Sequence, residues 1–397
     1  MRRRLLTILR SETILVVATI LALISCFIVH PDNDYWGYVH VSTIAQLVCL
    51  MLVVCGLQRL GVFRVIGSAL LHRVNTARGL AITLVALPFI SAMFITNDVA
   101  LVTFVPFGVA VLKMAKLEDK SVMMCVLMTI AANVGSMLTP IGNAHNLYLK
   151  ALTGLSTGRF LEIMAPYSGL ALVMLVIMCC VCFGSQPVTE FKDKDSSGIE
   201  RGLLAPNPEG AQPDQIIVDG YGKHRRNWHI AAYVALFILC ILTVSDLLPL
   251  WVMCVVVVLA VILIDPGVFR HTDWALPITF IMFFIFIGNM RRVPQFDELA
   301  QAFVGQHPLE VAVVFSQVIS NVPTTLLLSG FCDKWVPLII GTNLGGMGTI
   351  IASMASLITY KCVTKEYPTK KGRYLAVYSA ANFSFLIILM GLSYIIE

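Results

Sequence analysis

Charged residues are scarce in this chain. Asp, Glu, Lys and Arg together make up 13% of its 397 residues, whereas 58% are hydrophobic. About a quarter of the residues in a typical soluble domain are charged. The composition therefore excludes a soluble domain and predicts an all-α protein that crosses the bilayer several times. Because Lys and Arg are absent from the apolar interior, an anionic solute would have to be neutralised by helix N-termini, amides and hydroxyls, helped by a co-bound cation.

Motifs of catalysis and of nucleotide binding are also missing. We find no phosphate-binding loop, no nucleophile–base set and no Cys/His spacing that suits a metal. The eleven cysteines lie mostly inside apolar runs and are typical of small core hydrophobes. We therefore expect no enzyme, no cofactor, no bound transition metal and no nucleic-acid partner. ATP-driven transport would need a separate subunit.

Apolar windows that approach the roughly 20 residues of a spanning helix recur along the chain. They predict helices near 12–30, 41–58, 121–153, 163–183, 228–246, 249–264, 274–290, 335–360 and 373–396. Two further windows, 79–115 and 308–332, each contain two short apolar arms around a polar centre. Both flanks of each window must face the same compartment, so we predict re-entrant hairpins. Their exposed backbone is tolerable only where protein or a water-filled cavity surrounds it.

The distribution of basic residues predicts the orientation. With the N-terminus in the cytoplasm, 23 of the 28 Lys and Arg residues lie in the predicted inside segments, which are 1–11, 59–78, 113–120, 185–228, 265–273 and 361–373. An excess of Lys and Arg in cytoplasmic loops is the rule for multi-pass membrane proteins. We therefore predict a multi-pass protein of the cytoplasmic (inner) membrane, embedded in the lipid bilayer, with its N-terminus in the cytoplasm.

The two halves of the chain share one order of elements. Residues 1–184 form an N-terminal half with the hairpin 79–115 and the broken helix 121–153, and residues 228–397 form a C-terminal half with the hairpin 308–332 and the broken helix 335–360. Corresponding segments run in opposite directions across the membrane, which is typical of inverted-topology repeats in transporters. The polar stretch 185–227 is predicted to be a cytoplasmic linker.

The hairpin tips carry the most polar residues of the apolar windows. The first tip reads Thr96, Asn97 and Asp98, and the second contains Ser320, Asn321 and Thr324. An ionisable residue at membrane depth indicates a functional site, so Asp98 could bind Na⁺ or a proton, with Asn97 and Asn321 as further Na⁺ ligands. The alternatives are that Asp98 and Ser320 only cap the following helices.

The broken helices supply the remaining candidate residues. The first break contains Asn133, Ser136, Thr139, Gly142 and Asn143, and the second contains Asn343, Gly345, Gly346 and Thr349. Unwound segments expose helix ends that can bind a solute or an ion, although Gly also serves close helix packing. His145 follows the first break and could carry a coupling proton, or it could line or pack the site.

At these residues the chain resembles the ion transporter superfamily, within its citrate transporter-like and arsenite permease-like group, which includes divalent anion/sodium symporters. The resemblance rests on Thr96-Asn97-Asp98-Val99-Ala100, Thr139-Pro140-Ile141-Gly142-Asn143 and Ser320-Asn321-Val322-Pro323. It implies a scaffold and a transport domain in each half, a solute framed by two hairpins and two unwound helices, and often a homodimer with an elevator-like motion. The dicarboxylate symporters of this group have Ser-Asn-Thr at each tip, whereas here the third hydroxyl is missing.

The sequence thus favours a secondary active transporter of a small anion, a carboxylate or an inorganic oxyanion, coupled to Na⁺ or H⁺. Three rival hypotheses stay open: a cation/proton antiporter, an arsenite-type metalloid efflux permease or channel, and, least favoured, a membrane enzyme.

Overall fold

A computed structural model describes residues 13–71, 74–187 and 223–396. Across these residues the secondary structure is helical, apart from one isolated bridge between Thr76 and Pro187. The predicted all-α polytopic membrane fold is confirmed. The helices of the first half are α1 Thr13–Ile28, α2 Tyr35–Tyr38, α3 Val41–Arg59, α4 Val62–Leu71, α5 Ala77–Ala92, α6 Asn97–Met114, α7 Ser121–Ser136, α8 Ala144–Thr153 and α9 Thr157–Cys182.

The second half repeats this order after one additional helix. Its helices are α10 Lys223–Val244, α11 Leu250–Ile264, α12 Val268–His271, α13 Ala275–Arg291, α14 Pro294–Gln306, α15 Pro308–Ile319, α16 Asn321–Ser329, α17 Trp335–Leu344, α18 Met354–Glu366 and α19 Lys371–Ile396. Short 3-10 turns, Glu118–Lys120 and Pro368–Lys370, precede α7 and α19. The opposite orientation of the two halves in the membrane stays a prediction.

Five helices of the described chain are long and apolar enough to cross a membrane: α3, α6, α9, residues 226–244 of α10, and α19 with its preceding turn. The α13–α14 pair passes the same test as a unit but bends by 106°. This bend lies just after the end of the spanning helix predicted near 274–290.

The two windows predicted as re-entrant hairpins each contain two helices in contact, α5 with α6 and α15 with α16, and the two pairs differ in length. Their re-entry stays a prediction, since α6 alone is long enough to cross the membrane. The arms of the second, α15 and α16, have 12 and 9 residues, which corresponds to roughly 18 and 14 Å at 1.5 Å per residue. The arms of the first, α5 and α6, have 16 and 18 residues, so the expectation of two short arms is wrong there. Pro88 and Pro106 lie inside these longer arms without ending them.

Several other predicted boundaries also differ from the observed ones. α9 begins at Thr157 rather than near 163, α10 begins at Lys223 inside the predicted linker, and α18 continues to Glu366. Most of the linker, residues 188–222, lies outside the described residues. At its start, the backbone N–H groups of Ala77 and Arg78 donate to Gln186 O and Gly184 O at 3.0 Å each, which ties the end of the first half to the first hairpin.

Ion pairs join loops that the charge pattern assigns to one side of the membrane. Arg59 pairs with Asp265 at 3.0 Å, and Lys113 pairs with Glu366; all four residues belong to predicted inside segments. On the predicted outside, Arg292 pairs with Asp32 at 2.6 Å and Lys150 with Asp246 at 2.5 Å. The pairing supports the grouping of the loops, while the absolute orientation stays a prediction.

The centre of the molecule is formed by the hairpins and the broken helices. Every residue of α7 except Met123 is buried, and α7 packs against α5, α6, α18 and α19. Polar groups inside such a helix need partners because an unpaired polar group in an apolar medium is costly. Those partners come from the unwound segments of both halves and form the site.

Candidate functional site between the hairpin tips

A cavity of about 70 Å³ lies where the two hairpin tips face α1 and the start of α13. A single water needs about 10–15 Å³, so the cavity has room for a small hydrated ion or a small solute. Its polar lining residues come from both halves and are Thr96, Asn97, Asp98, Asn143, Asp273, Thr279, Asn321 and Ser353. The apolar part of the lining is Ile14, Leu15, Ala144, Ala275, Leu276, Val322, Pro323 and Met354.

The charged side chains of this lining are both acidic. Asp98 comes from the first turn of α6, and Asp273 lies just before α13, where its Oδ1 accepts a hydrogen bond from Ala275 N at 2.9 Å. No Lys, Arg or His is among the lining residues of the described chain. An anion in the cavity would therefore face two carboxylates and no opposite charge from a side chain of the described lining.

The first hairpin tip is held by the side chain of Asn97, the first residue of α6. Asn97 Nδ2 donates to Asn133 Oδ1 at 3.0 Å and to Ser353 Oγ at 3.4 Å, and its Oδ1 accepts from Asp98 N at 3.0 Å. Asn97 thus satisfies the free N–H group of Asp98 at the helix start. Among the described residues, the carboxylate of Asp98 receives no hydrogen bond from protein. The geometry therefore does not support a purely capping role for Asp98.

The second tip turns sharply at Ser320, whose φ is +73°. A non-glycine residue in this region is uncommon and strained. Two hydrogen bonds to Ala352 O hold it, from Asn321 N at 2.9 Å and from Ser320 Oγ at 3.3 Å. Ser320 makes no side-chain cap to α16, so the capping interpretation of this residue is wrong. Thr324 is fully buried and donates to Ser320 O at 2.8 Å within α16.

The first break is a compact turn between α7 and α8. Ser136 Oγ donates to Asn133 O at 2.9 Å and accepts from Asn143 Nδ2 at 3.2 Å, while Thr139 donates to Met93 O and accepts from Gly142 N. A Cβ on Gly142 would lie 2.4 Å from Ser136 O and 2.6 Å from Ala92 O. Glycine is required here by close backbone approach, as the packing interpretation predicts. Asn143 alone of this group also lines the cavity.

The second break wraps around the side chain of Gln317. Gln317 Nε2 donates to Gly345 O at 3.1 Å and Met347 O at 2.9 Å, and its Oε1 accepts from Thr349 N at 2.8 Å. Thr349 Oγ1 returns a hydrogen bond to Gln317 O at 2.9 Å. A Cβ on Gly346 would lie 2.8 Å from Asn321 Nδ2. The carbonyls of Gly345 and Met347 therefore accept hydrogen bonds from a protein side chain. The sequence predicts a bound solute or ion at this place.

The halves are joined by buried polar contacts beside the cavity. Ser353 Oγ donates to Asn133 Oδ1 at 3.2 Å, and Asn133 Nδ2 donates to Ser356 Oγ at 3.3 Å. Asn146 and Asn343 form a second contact between the breaks. These bonds satisfy polar groups that the apolar interior would otherwise leave unpaired.

The predicted site residues thus separate into two groups. Thr96, Asn97, Asp98, Asn143 and Asn321 line one cavity. The others do not line the cavity but make hydrogen bonds or close backbone contacts in the segments around it: Asn133, Ser136, Thr139, Gly142, Ser320, Thr324, Asn343, Gly345, Gly346 and Thr349. His145 is fully buried and is not part of the lining, so this geometry favours its packing role over proton carriage.

Four residues of the site escape prediction from the sequence. Gln317 lies one helical turn before the second tip, and Asn146 follows His145, so polar residues close to the two breaks were a usable signal. Ser353 could have been suspected because it is a hydroxyl residue at the N-cap of α18. Asp273 could not be found from the sequence, because it lies in a loop outside every apolar window.

The lining oxygens suit a hard cation or a proton. Carboxylate and amide oxygens of Asn97, Asp98 and Asn321 share the cavity, and such oxygens are the ligands of hard cations. In the described part of the chain, no cluster of three His, Cys, Asp or Glu residues forms that could hold a transition metal.

Comparison with known proteins gives one family and several distant relatives. Residues 5–337 match the family described as citrate transporter. The inner membrane protein YbiR of Escherichia coli is 28% identical over 345 residues, covering 85% of this chain and 84% of its own. An uncharacterized transporter of Methanocaldococcus jannaschii is 28% identical over 311 residues, 78% of each chain. A silicon efflux transporter of Oryza sativa is 26% identical over 155 residues, 38% of this chain and 32% of its own.

Proposed function

We propose that this chain, which belongs to the citrate transporter family, is a secondary transporter whose solute is a small carboxylate or inorganic oxyanion that moves together with Na⁺ or H⁺. The proposed binding place is the cavity between the hairpin tips. Asn97, Asp98, Asn143 and Asn321 line it from the elements that the family resemblance assigns to solute binding.

The acidic lining is the observation that supports coupling. Asp98 and Asp273 face the cavity without a basic side chain beside them in the described lining. Two like unit charges 4 Å apart repel by about 4 kcal/mol at an effective dielectric constant of 20. An anion therefore binds favourably only after a cation or a proton has neutralised a carboxylate, which is the condition for symport.

The helix ends supply the attraction for the anion. α6 begins at Asn97 and α16 begins at Asn321, and the first residues of both helices line the cavity. The partial positive charge of a helix N-terminus attracts an anion, although Asp98 N and Asn321 N already donate to Asn97 Oδ1 and Ala352 O. Asp98 then serves as the coupling group, and the amides orient the solute.

Membrane orientation and assembly complete the proposal. We place the protein in the cytoplasmic membrane with its N-terminus inside, on the strength of the basic-residue distribution. Assembly as a homodimer rests on the family resemblance.

The test is uptake by purified protein in liposomes. Labelled citrate, succinate and sulfate are offered with imposed Na⁺ or H⁺ gradients, and Asp98→Asn is compared with wild type. We expect gradient-dependent uptake of one anion that Asp98→Asn abolishes. Asp119→Asn, an exposed carboxylate on a predicted inside segment, is the control and should transport normally. Uptake that depends on neither gradient contradicts the proposal and supports a channel. Asp98-dependent H⁺/Na⁺ exchange without uptake of any anion contradicts it and supports an antiporter.

A second candidate is export of an uncharged hydroxylated metalloid acid in exchange for protons. The same acidic lining favours it, because a neutral solute would not be repelled by Asp98 and Asp273. The rice relative that is described as a silicon efflux transporter also supports it. Proton-driven efflux of arsenous or silicic acid from loaded liposomes, without uptake of any carboxylate, would select this function.

A further inference from the structure

One face of α18 begins at the cavity and ends at two lysines. Met354, the first residue of α18, lines the cavity. Leu357, Lys361 and Lys365 follow it at intervals of three and four residues, and all four residues are exposed. Residues with this spacing lie on one side of an α-helix. We call the surface of Met354, Leu357, Lys361 and Lys365 the exposed face of α18.

The opposite side of α18 packs against the first half of the chain, since α18 contacts α6 and α7. Five residues on this side are buried: Ala355, Ser356, Thr359, Cys362 and Val363. At the end of the helix, Glu366 pairs with Lys113 of α6. These contacts fix the direction of the exposed face, which points away from α6 and α7. They also place the end of α18 at the membrane surface that the charge pattern assigns to the inside.

The cavity lies at the inside ends of the two helices across from α18. Of α1 and α13, only residues close to the helix starts are among the described lining: Ile14, Leu15, Ala275, Leu276 and Thr279. Both helices follow segments that are predicted to be inside. From Met354 the exposed face continues for roughly 10 Å to Lys361 and roughly 16 Å to Lys365, at 1.5 Å per residue. The exposed face therefore reaches from the cavity to the predicted inside surface.

The two lysines carry the charge that the cavity lining lacks. Asp98 and Asp273 are the charged side chains of the described lining, whereas Lys361 and Lys365 are the basic residues of the exposed face. Like charges four residues apart destabilise a helix slightly, so their mutual interaction does not explain the pair. Charges of one sign beside a cleft raise the local concentration of an oppositely charged solute and its rate of association.

We propose that Lys361 and Lys365 attract the anionic solute at the inside surface and guide it along the exposed face of α18 into and out of the cavity. They act through their charge and do not touch the solute that is bound between the hairpin tips, so they are positioning residues. This inference rests on the proposed function and deepens it, because it requires a negatively charged solute. A neutral metalloid acid would gain nothing from the two lysines.

The first test measures the electrostatic potential at the cavity end of the exposed face and needs no transport. Met354→Cys introduces a thiol there in the purified full chain. Its modification by negatively charged sulfonatoethyl methanethiosulfonate and by positively charged trimethylammonioethyl methanethiosulfonate is followed by peptide mass spectrometry. We expect Lys361→Gln with Lys365→Gln to slow the negative reagent and to accelerate the positive one, each about 2- to 5-fold at low ionic strength. In about 0.5 M salt the differences should largely disappear because the charges are screened.

Two controls accompany this measurement. An uncharged methanethiosulfonate should react at an unchanged rate, which shows that the exposure of the thiol is the same in both backgrounds. Lys120→Gln with Lys334→Gln removes the same charge from exposed positions outside α18 and should leave all rates within about 1.5-fold. Equal effects of the two double variants, or rates that do not respond to Lys361→Gln with Lys365→Gln, overturn the inference.

The second test is uptake of labelled citrate, succinate and sulfate by inside-out vesicles, in which the predicted inside faces the medium. For the anion that wild type transports, Lys361→Gln with Lys365→Gln should raise the KM about 2- to 10-fold at low ionic strength and leave the maximal rate unchanged. An unchanged KM refutes the guiding role even if the thiol rates respond. Failure of the proposed function looks different: wild type then takes up none of the three anions, although the two lysines still control the thiol rates.

Discussion

Asn146 and Asn343 bind each other through both groups of their side-chain amides. Asn146 Nδ2 donates to Asn343 Oδ1 at 3.0 Å, and Asn343 Nδ2 donates to Asn146 Oδ1 at 2.8 Å. The two residues are 197 positions apart in the sequence. Asn146 follows the break of the first half, and Asn343 precedes the break of the second half. A buried amide without a hydrogen-bond partner costs free energy in an apolar interior. The mutual hydrogen bonds of Asn146 and Asn343 therefore hold the two broken helices together.

Substitution of either asparagine of this pair should destabilise the protein, because the remaining asparagine loses its hydrogen-bond partner. We expect Asn146→Ala and Asn343→Ala each to cost about 1–3 kcal/mol, because each leaves a buried amide without its partner. The double variant should be more stable than the sum of the two losses predicts, by about 0.5–3 kcal/mol. Thermal unfolding of the four proteins in detergent measures this coupling. Additive losses would show that the pair contributes nothing beyond its separate members, and Asn75→Ala at an exposed position is the neutral control.

Gly142→Ala should disturb the first break. The new Cβ would lie 2.4 Å from Ser136 O and 2.6 Å from Ala92 O, which are backbone atoms and cannot rotate away. We expect a loss of about 1–3 kcal/mol or more, measured as reduced yield of folded protein and a lower melting temperature.

Gly158→Ala is the matched control for Gly142→Ala. Gly158 is in the first turn of α9 and has no heavy atom within 4 Å of the position of a Cβ. It should be neutral or slightly stabilising because Ala favours a helix. Equal stability of the two variants would contradict the close backbone approach at Gly142.

Asp273→Asn should weaken binding of the coupling cation without abolishing transport. Asp273 is exposed at the cavity and its charge acts through solvent, whereas the asparagine keeps the oxygen that accepts from Ala275 N. We expect the KM for Na⁺ or H⁺ to rise about 2- to 5-fold at low ionic strength. The difference should shrink in about 0.5 M choline chloride, where screening acts over only a few ångströms. If Asp119→Asn raised the KM for the cation by the same factor, the effect would be due to general surface charge and not to the position of Asp273 at the cavity.

Acidification should weaken the contact between Asp32 and Arg292. The hydrogen bond from Arg292 lowers the pKa of Asp32 below its ordinary value near 4. A lowered pKa in the folded state means that the ionised carboxylate contributes stability above the ordinary pKa, and that this contribution is lost as the pH falls through the lower folded value. Melting temperatures of wild type and Asp32→Asn should therefore converge as the pH falls from about 5 to about 2.5. A constant difference over this range would show that the contact does not depend on the charge of Asp32.

Much of the fold follows from local chemistry that a sequence displays. The hairpins, the breaks and the spanning helices were predicted because apolar length, Gly, Pro and polar residues within apolar runs act locally on the backbone. The lengths of the hairpin arms were not, since Pro88 and Pro106 lie inside α5 and α6, where neighbouring helices of a membrane protein satisfy freed backbone groups.

Composition and apolar length were sufficient to predict an all-α membrane protein, and the polar motifs placed Asn97, Asp98 and Asn321 near a common site. Which polar groups pair with protein and which face the cavity became clear from the three-dimensional contacts. Gln317 fills the second break, Asp273 joins Asp98, and Asn97 is bound to Ser353 while Asn321 stays open. Hydrogen-bond satisfaction in an apolar interior depends on partners outside the local segment, 28 positions away for Gln317 and Gly345 and 256 for Asn97 and Ser353, and a local pattern contains no information about them.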